Sequence, residues 1–221
     1  MNGLAPVESA ALTRRVTLMS VSVASILVAI KAAAWLASGS VSLLASMADS
    51  GLDLLASLIT FFAVRYAVEP PDAEHRFGHG KAEAFSSLVQ AGLVFASSAL
   101  IGQEAIRHLA TPHPLAKEGW AVAVMIVSTI LTLALIGAQT WVLRRTRSVA
   151  VSGDRAHYAT DLASNLIALA GIGASAVMGI NNLDAVAALG VTALLLWGAI
   201  SVFREASSQL MDQELPEADR T

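Results

Sequence analysis

The sequence has no cysteine. That excludes a disulfide framework, an iron–sulfur cluster and any thiolate metal site. It is also short of charge. Only 14% of its 221 residues are Asp, Glu, Lys or Arg, where a soluble domain averages about 25%. The small net charge, -3, gives no reason to expect a nucleic-acid partner. What fills the chain instead is apolar: 55% of residues are hydrophobic, and the mean hydropathy is +0.64. A disordered chain, a collagen-like chain and an ordinary water-soluble enzyme are excluded. The composition asks for a membrane domain.

A spanning helix needs about 20 mostly apolar residues. Six stretches qualify: 14–38, 42–67, 81–110, 117–143, 152–179 and 183–209. The first is too long for a cleavable signal peptide, and no small-residue cleavage site precedes a soluble domain. Gly39-Ser40, Glu69-Pro70-Pro71, Thr111-Pro112-His113-Pro114 and Gly179-Ile180-Asn181-Asn182 punctuate the runs as turns. The expectation is an all-α membrane protein. It would have a cytosolic tail at 1–13, a six-helix transmembrane domain at 14–210, and the start of a cytosolic C-terminal region at 211–221.

Six spans put both termini on one side. Arg14, Arg15, Arg65, Arg76, Lys81, Arg144, Arg145, Arg147, Arg155, Arg204 and Arg220 fall on that side, and only Arg107 and Lys117 near the other face. By the positive-inside rule both termini are cytoplasmic. Trp35, Trp120, Trp141 and Trp197 mostly lie towards span ends, where interfacial anchors belong. Small-residue strings such as Ala96-Ser97-Ser98-Ala99 suit close helix packing.

A carboxylate in mid-membrane is costly and is a functional candidate by default. Asp49, Asp53 and Asp161 sit well inside apolar runs, and His157 joins them. Asp49 and Asp53 are four apart, as are His157 and Asp161. Four helical residues turn about 400° and rise about 6 Å, so each pair shares one face. Two such helices facing each other present one imidazole and three carboxylates, a ligand set for a divalent metal such as Zn²⁺, Fe²⁺ or Mn²⁺. Three anions in low dielectric need a metal or protons to neutralise them. Lys31 is the only basic residue deep enough to help, and one lysine cannot balance three acids. A site that holds either metal or protons is the basis of an exchanger. Asn165, four beyond Asp161, either orients a carboxylate or bonds a neighbouring helix.

A second constellation lies between the second and third runs. Asp72, His75 and His79 could fold around one ion, with Gly78 and Gly80 permitting a tight path. A solvated polar loop is the alternative. Glu74 and Glu83 are lesser candidates. His108 and His113 read as surface histidines, and Glu104 as a helical partner for Arg107 or His108.

Together these pieces resemble the cation diffusion facilitator family, close to its bacterial zinc/iron exporters. Four segments carry the match: Asp49-Ser50-Gly51-Leu52-Asp53; Asp72 to Glu83 with His-Arg-Phe-Gly-His-Gly-Lys-Ala-Glu; His157-Tyr158-Ala159-Thr160-Asp161 with Asn165; and Leu210-Met211-Asp212-Gln213-Glu214-Leu215-Pro216. The resemblance covers nearly the whole chain. It implies a homodimer in the inner (plasma) membrane that exports divalent metal against proton influx, with lipid, metal ions and protons as its partners and no resident cofactor. It implies a transport site at Asp49, Asp53, His157 and Asp161, and a looser cytosolic site at Asp72, His75 and His79. A charge interlock would map to Lys81 and Asp212. Members usually continue into a cytosolic ferredoxin-like domain, and the sequence stops at Thr221. It is expected to be either part of a longer chain or a short natural variant.

The expected function is a Zn²⁺/proton antiporter, with Fe²⁺, Cd²⁺, Co²⁺ and Mn²⁺ as alternative cargoes. His157 and Asp49 are the expected proton carriers; histidine ordinarily titrates near about 6.5. No ATP-binding GxxxxGK[ST] string is present. An intramembrane metallohydrolase is disfavoured, since neither HExxH nor GxSxG occurs. The alternative function is a membrane metal sensor or scaffold that binds without transporting.

Overall fold

The computed structural model describes residues 5–39, 41–110, 119–178 and 183–211. Among them are six helices: α1 (Pro6–Ser38), α2 (Val41–Ala67), α3 (Lys81–Ala110), α4 (Gly119–Thr146), α5 (Val149–Met178) and α6 (Leu183–Leu210). The described residues contain no strand. The expected turns at 111–114 and 179–182 lie outside the described residues, as do Ser40, His113 and Asp212.

Local chemistry sets several helix ends. Pro6 occupies the first turn of α1, where its missing N–H costs nothing, and Glu8 faces the positive end of the helix dipole. The helix starts at Pro6, so residues 6–13 of the expected tail are helical. Leu12 packs against the buried trio Val16, Val142 and Val151, which explains why this extra turn is held. Gly39 closes α1 in the left-handed conformation (φ 64°), its N–H donating to Trp35 O. Ser148 caps α5 through its Oγ, which accepts from the Val151 N–H at 3.4 Å.

Among the described residues, five helical segments are long and apolar enough to cross a membrane: Val7–Ala37, Ser46–Ala67, Lys81–Arg107, Val122–Thr146 and Leu189–Leu210. The protein is a multi-pass membrane protein. α5 falls outside these five because its described part carries Asp154, Arg155, His157 and Asp161.

α1, α2, α5 and α4 pack in a ring, each against the next, while α3 lies against α2, α5 and α6. We call the end of the bundle with Pro6, Ala67, Lys81, Val149 and Leu210 the near end, and the opposite end the far end. Ser9, Gly80, Thr146 and Gln209 line one pocket, so the start of α1, the end of α6, the α2–α3 loop and the α4–α5 turn share the near end.

The interior is polar. Ser20, Ser57, Thr60, Ser86, Gln90, Gln139 and Asp154 are all fully buried. Without water in the bilayer, such groups must be satisfied by one another or by backbone. Many hydroxyls return to their own helix, as Thr17 does to Thr13 O and Ser20 to Val16 O. Leu18, Ile26, Phe62, Leu100 and Trp197 are exposed, as lipid-facing side chains should be. Trp141 carries Arg145 over its ring at 3.9 Å, near the near end of α4. The side chain of Trp120 lies outside the described set.

Candidate metal centre

The i,i+4 spacing on α2 and α5 delivers its side chains to one place. A ligand atom each from Asp53, His157 and Asp161 lies within 4.8 Å of the others. His157 Nε2 is 3.1 Å from Asp53 Oδ1 and 3.9 Å from Asp161 Oδ2. Asp53 and His157 are buried, at 6% and 4% exposure. Two polar atoms of this cluster, His157 Nδ1 and Asp161 Oδ2, are buried with no hydrogen-bond partner. Orphaned polar atoms in a dry interior are costly, and a bound cation would relieve the one on Asp161.

Asp49 stands apart from this trio. It lies one helical turn before Asp53 on α2, towards the far end, on the wall of a cavity of about 200 Å³ that Asp53 and Asp161 also line. Ser46, Ser97, Ser128, Ser164 and Asn165 add further polar groups to the cavity wall. Asn165 thus shares the cavity with Asp161. Lys31 enters the cavity too, with Nζ donating to Ser50 Oγ at 2.6 Å and to Ser46 O at 3.1 Å. It sits in the far half of α1 and puts one cation beside the carboxylates.

The cavity lies on the far side of the cluster. On α1, α2, α3, α4 and α5 its lining residues are at the cluster's level or nearer the far end. Towards the near end, hydrogen bonds between helices close the interior. Ser57 and Tyr158 share one at 2.7 Å. Gln90 Nε2 donates to Ala56 O at 3.1 Å and to Thr60 Oγ1 at 2.9 Å.

One buried acid was missed by the sequence reading. Asp154 is fully buried on α5. Its Oδ2 accepts from Ser20 Oγ at 2.6 Å and from Gln139 Nε2 at 2.8 Å, and its Oδ1 from Gln90 Nε2 at 3.4 Å. The signal was available: Asp154 precedes His157 by three residues and so lies on a neighbouring face.

The loop residues also come together. Asp72, His75 and His79 offer ligand atoms within 4.8 Å of one another. His75 Nδ1 is 3.2 Å from Asp72 Oδ1, and His79 Nε2 is 3.4 Å from Asp72 Oδ2. Asp72 Oδ1 accepts from the backbone N–H groups of Glu74 and His75, at 2.9 and 2.5 Å. The His75 N–H is the main cause that holds the Asp72 carboxyl below its ordinary range, against some opposing desolvation. Gly78 takes φ 84°, a conformation that favours glycine, and lets the chain turn back towards α3. His79 is buried; its Nδ1 lies 3.4 Å from Glu69 O. A carbonyl can only accept, so the Nδ1–H points at Glu69 O, and Nε2 faces Asp72 Oδ2 without a hydrogen-bond partner.

Other expected residues are placed less tellingly. Glu83 accepts from Ser148 Oγ at 2.5 Å and ties the starts of α3 and α5 together. Glu74 contributes its backbone N–H to the Asp72 turn. Lys81 Nζ donates to Leu210 O at 3.1 Å, next to the expected partner region, while Asp212 itself lies outside the described residues. The side chains of Glu104 and His108 are likewise outside the described set.

Comparison with known proteins bears on this geometry. Residues 17–211 match the family described as the cation efflux transmembrane domain. The chain is 40% identical over 216 residues to the cation-efflux pump FieF of Yersinia enterocolitica, covering 96% of this chain and 71% of that protein. It is 39% identical over 209 residues to the Klebsiella pneumoniae pump of the same name, with 95% and 69% covered. A Yersinia pestis FieF is 41% identical over 206 residues, with 92% and 67% covered.

Proposed function

This chain belongs to the cation efflux family, and from that premise we propose that it carries Zn²⁺ out of the cytoplasm in exchange for protons. The family is one of transporters, so the chain is not an enzyme. In this reading it works as a homodimer in the inner membrane, with the near end and both termini in the cytoplasm.

One observation carries the reading. His157 Nε2 donates to Asp53 at 3.1 Å and lies 3.9 Å from Asp161. A proton on Nε2 and a divalent ion compete for the same nitrogen. Ligands must be deprotonated to bind metal, so metal entry expels protons and proton entry expels metal. Asp49, on the cavity wall one turn away, is the fourth ligand that joins when the ion arrives. An imidazole with three carboxylates suits Zn²⁺ better than Mn²⁺. Because the cavity extends to the far side and the near side is closed by hydrogen bonds, this is the state that exchanges with the exterior. The loop trio Asp72, His75 and His79 is a separate cytosolic metal site at the near end.

The test is metal uptake into proteoliposomes loaded with a zinc-sensitive dye, under an imposed pH gradient. Wild type should show saturable, gradient-driven Zn²⁺ flux that Asp53→Ala abolishes. Parallel runs with Fe²⁺, Cd²⁺, Co²⁺ and Mn²⁺ rank the cargoes. Binding without flux would overturn the reading in favour of a sensor.

A further inference from the structure

We propose that Asp154 is a proton-binding site of the transport cycle, separate from the metal ligands, through which protons pass between the metal centre and the near end. The inference rests on the antiport reading and deepens it. Asp154 lies one turn nearer the near end than His157, a rise of about 4.5 Å along α5. It does not belong to the ligand cluster.

The surroundings of Asp154 can serve the carboxyl group in both charge states. As a carboxylate it accepts from Ser20 Oγ, Gln139 Nε2 and Gln90 Nε2. As a neutral acid it needs an acceptor for its own O–H. Gln139 Oε1 and Gln90 Oε1 are both buried and without a hydrogen-bond partner. Rotating either side-chain amide would turn an orphaned oxygen towards Asp154. A purely structural tie has no use for idle acceptors on both its neighbours.

Among the described residues, no full countercharge is fixed on Asp154 by the helices around it. α1, α3 and α4 present Ser20, Gln90 and Gln139, all neutral. The ionisable groups that act on it are His157 and Tyr158 on its own helix and Asp53 on α2. A buried carboxylate without a cation partner is expensive, and taking up a proton relieves it.

A polar column joins Asp154 to the near end. Gln90 bonds Thr60, and Thr60 accepts from Ser86 Oγ at 3.2 Å. Ser87 lies alongside, with its Oγ buried and unpartnered. One turn before Ser86–Ser87 on α3 stands Glu83, which lines a near-end pocket of about 330 Å³ with Thr13 and Ser148. Metal thus has its cavity on the far side of the cluster, and protons have hydroxyl and amide groups on the near side.

Asp154→Asn separates a proton site from a structural tie. The amide keeps the shape, and the glutamines can rotate to pair with it, so a tie survives while a titrating group is lost. The experiment compares Zn²⁺ flux of wild type, Asp154→Asn and Asp154→Glu in proteoliposomes, with and without an inward pH gradient. Asp154→Asn should keep flux down a Zn²⁺ gradient, while its acceleration by the pH gradient drops about fivefold or more. Asp154→Glu should retain that acceleration. An Asp154→Asn protein with the wild-type pH response overturns the inference. If Asp154→Asn fails to fold, Gln139→Leu decides, because it keeps the carboxyl and removes one donor to its charged form. A pH profile of flux moved to higher pH supports the site, and an unmoved profile overturns it. A wild type that ignores the pH gradient refutes the antiport reading itself. A coupled wild type beside an equally coupled Asp154→Asn refutes this inference alone.

Discussion

His157 Nε2 and Asp53 Oδ1 form a 3.1 Å hydrogen bond that joins α5 to α2 at the centre of the ligand cluster. The bond holds the two helices in register and occupies the nitrogen that a metal needs. In the proposed exchange, proton and metal exclude one another at this single atom, and whichever is present neutralises the carboxylates. On that reading the local antagonism couples two ion flows without any covalent step.

Asp53→Asn should leave the helix contact in place, because the amide oxygen still accepts from Nε2–H. It removes an anionic ligand. Losing an outer partner of a metal ligand costs about 10–100-fold in affinity, so losing a ligand itself should cost at least about 100-fold. Zn²⁺ titration of the purified protein, beside a thermal melt showing retained fold, checks this. Affinity within a few-fold of wild type would remove Asp53 from the site.

Much of the centre was legible because helical periodicity alone aligns residues four apart. That logic brought His157 and Asp161 to one face and pointed Asp53 at them. The loop trio was legible because its members are close in sequence and the glycine at 78 marks the turn. Periodicity does not say how two helices are rotated against each other, so the separation of Asp49 from the trio could not be read. Asp154 was hidden for a different reason. Its partners Ser20, Gln90 and Gln139 come from three other helices, at sequence separations of 134, 64 and 15. The extension of α1 to Pro6 depends on Leu12 meeting Val142 and Val151 from α4 and α5, again a tertiary fact.

The loop should respond to acid in a defined direction. The Asp72 carboxyl is held below its ordinary 3.8, chiefly by the His75 N–H. A carboxylate whose folded pKa is depressed stabilises the folded turn at pH above its unfolded value. That contribution fades as pH falls through the lower, folded value. Hydrogen exchange at the His75 amide should therefore stay slow near neutral pH and quicken, relative to its intrinsic rate, only below 3.8. Asp72→Asn should quicken it at neutral pH as well. Equal protection in both proteins would mean that the side chain does not hold the turn.

Gly153 sets the distance between α3 and α5. A Cβ there would lie 2.8 Å from Ser87 Oγ and 3.0 Å from Ser87 Cα. The second of these atoms is backbone and cannot swing aside. Gly153→Ala should destabilise the bundle by about 1–3 kcal/mol, the usual cost of overpacking. Ser87→Ala in the same chain should restore only part of this, since it removes the crowding hydroxyl and leaves the crowding backbone. Thermal melts in one detergent compare all three proteins. An unchanged midpoint in Gly153→Ala would show that the helices part freely.

Tyr158 closes the near side, and its hydroxyl is the place to test alternation. It shares a 2.7 Å hydrogen bond with Ser57 and donates to Ser20 O at 3.3 Å. Tyr158→Phe removes these ties and leaves the ring. One hydrogen bond contributes about 1 kcal/mol net, which is roughly fivefold in a two-state population. The protein contains no cysteine, so a single introduced thiol reports alone. Val64 is 1% exposed and lines the near-end pocket, so Val64→Cys is shielded while that side is closed. Adding Tyr158→Phe should raise its maleimide labelling rate about fivefold. Added Zn²⁺ should alter that rate in the intact site and not in an Asp53→Asn background, because only an occupied centre biases the two states differently. Labelling that Tyr158→Phe leaves unchanged would place the near-side closure elsewhere, most directly on the Gln90 bonds to Ala56 O and Thr60.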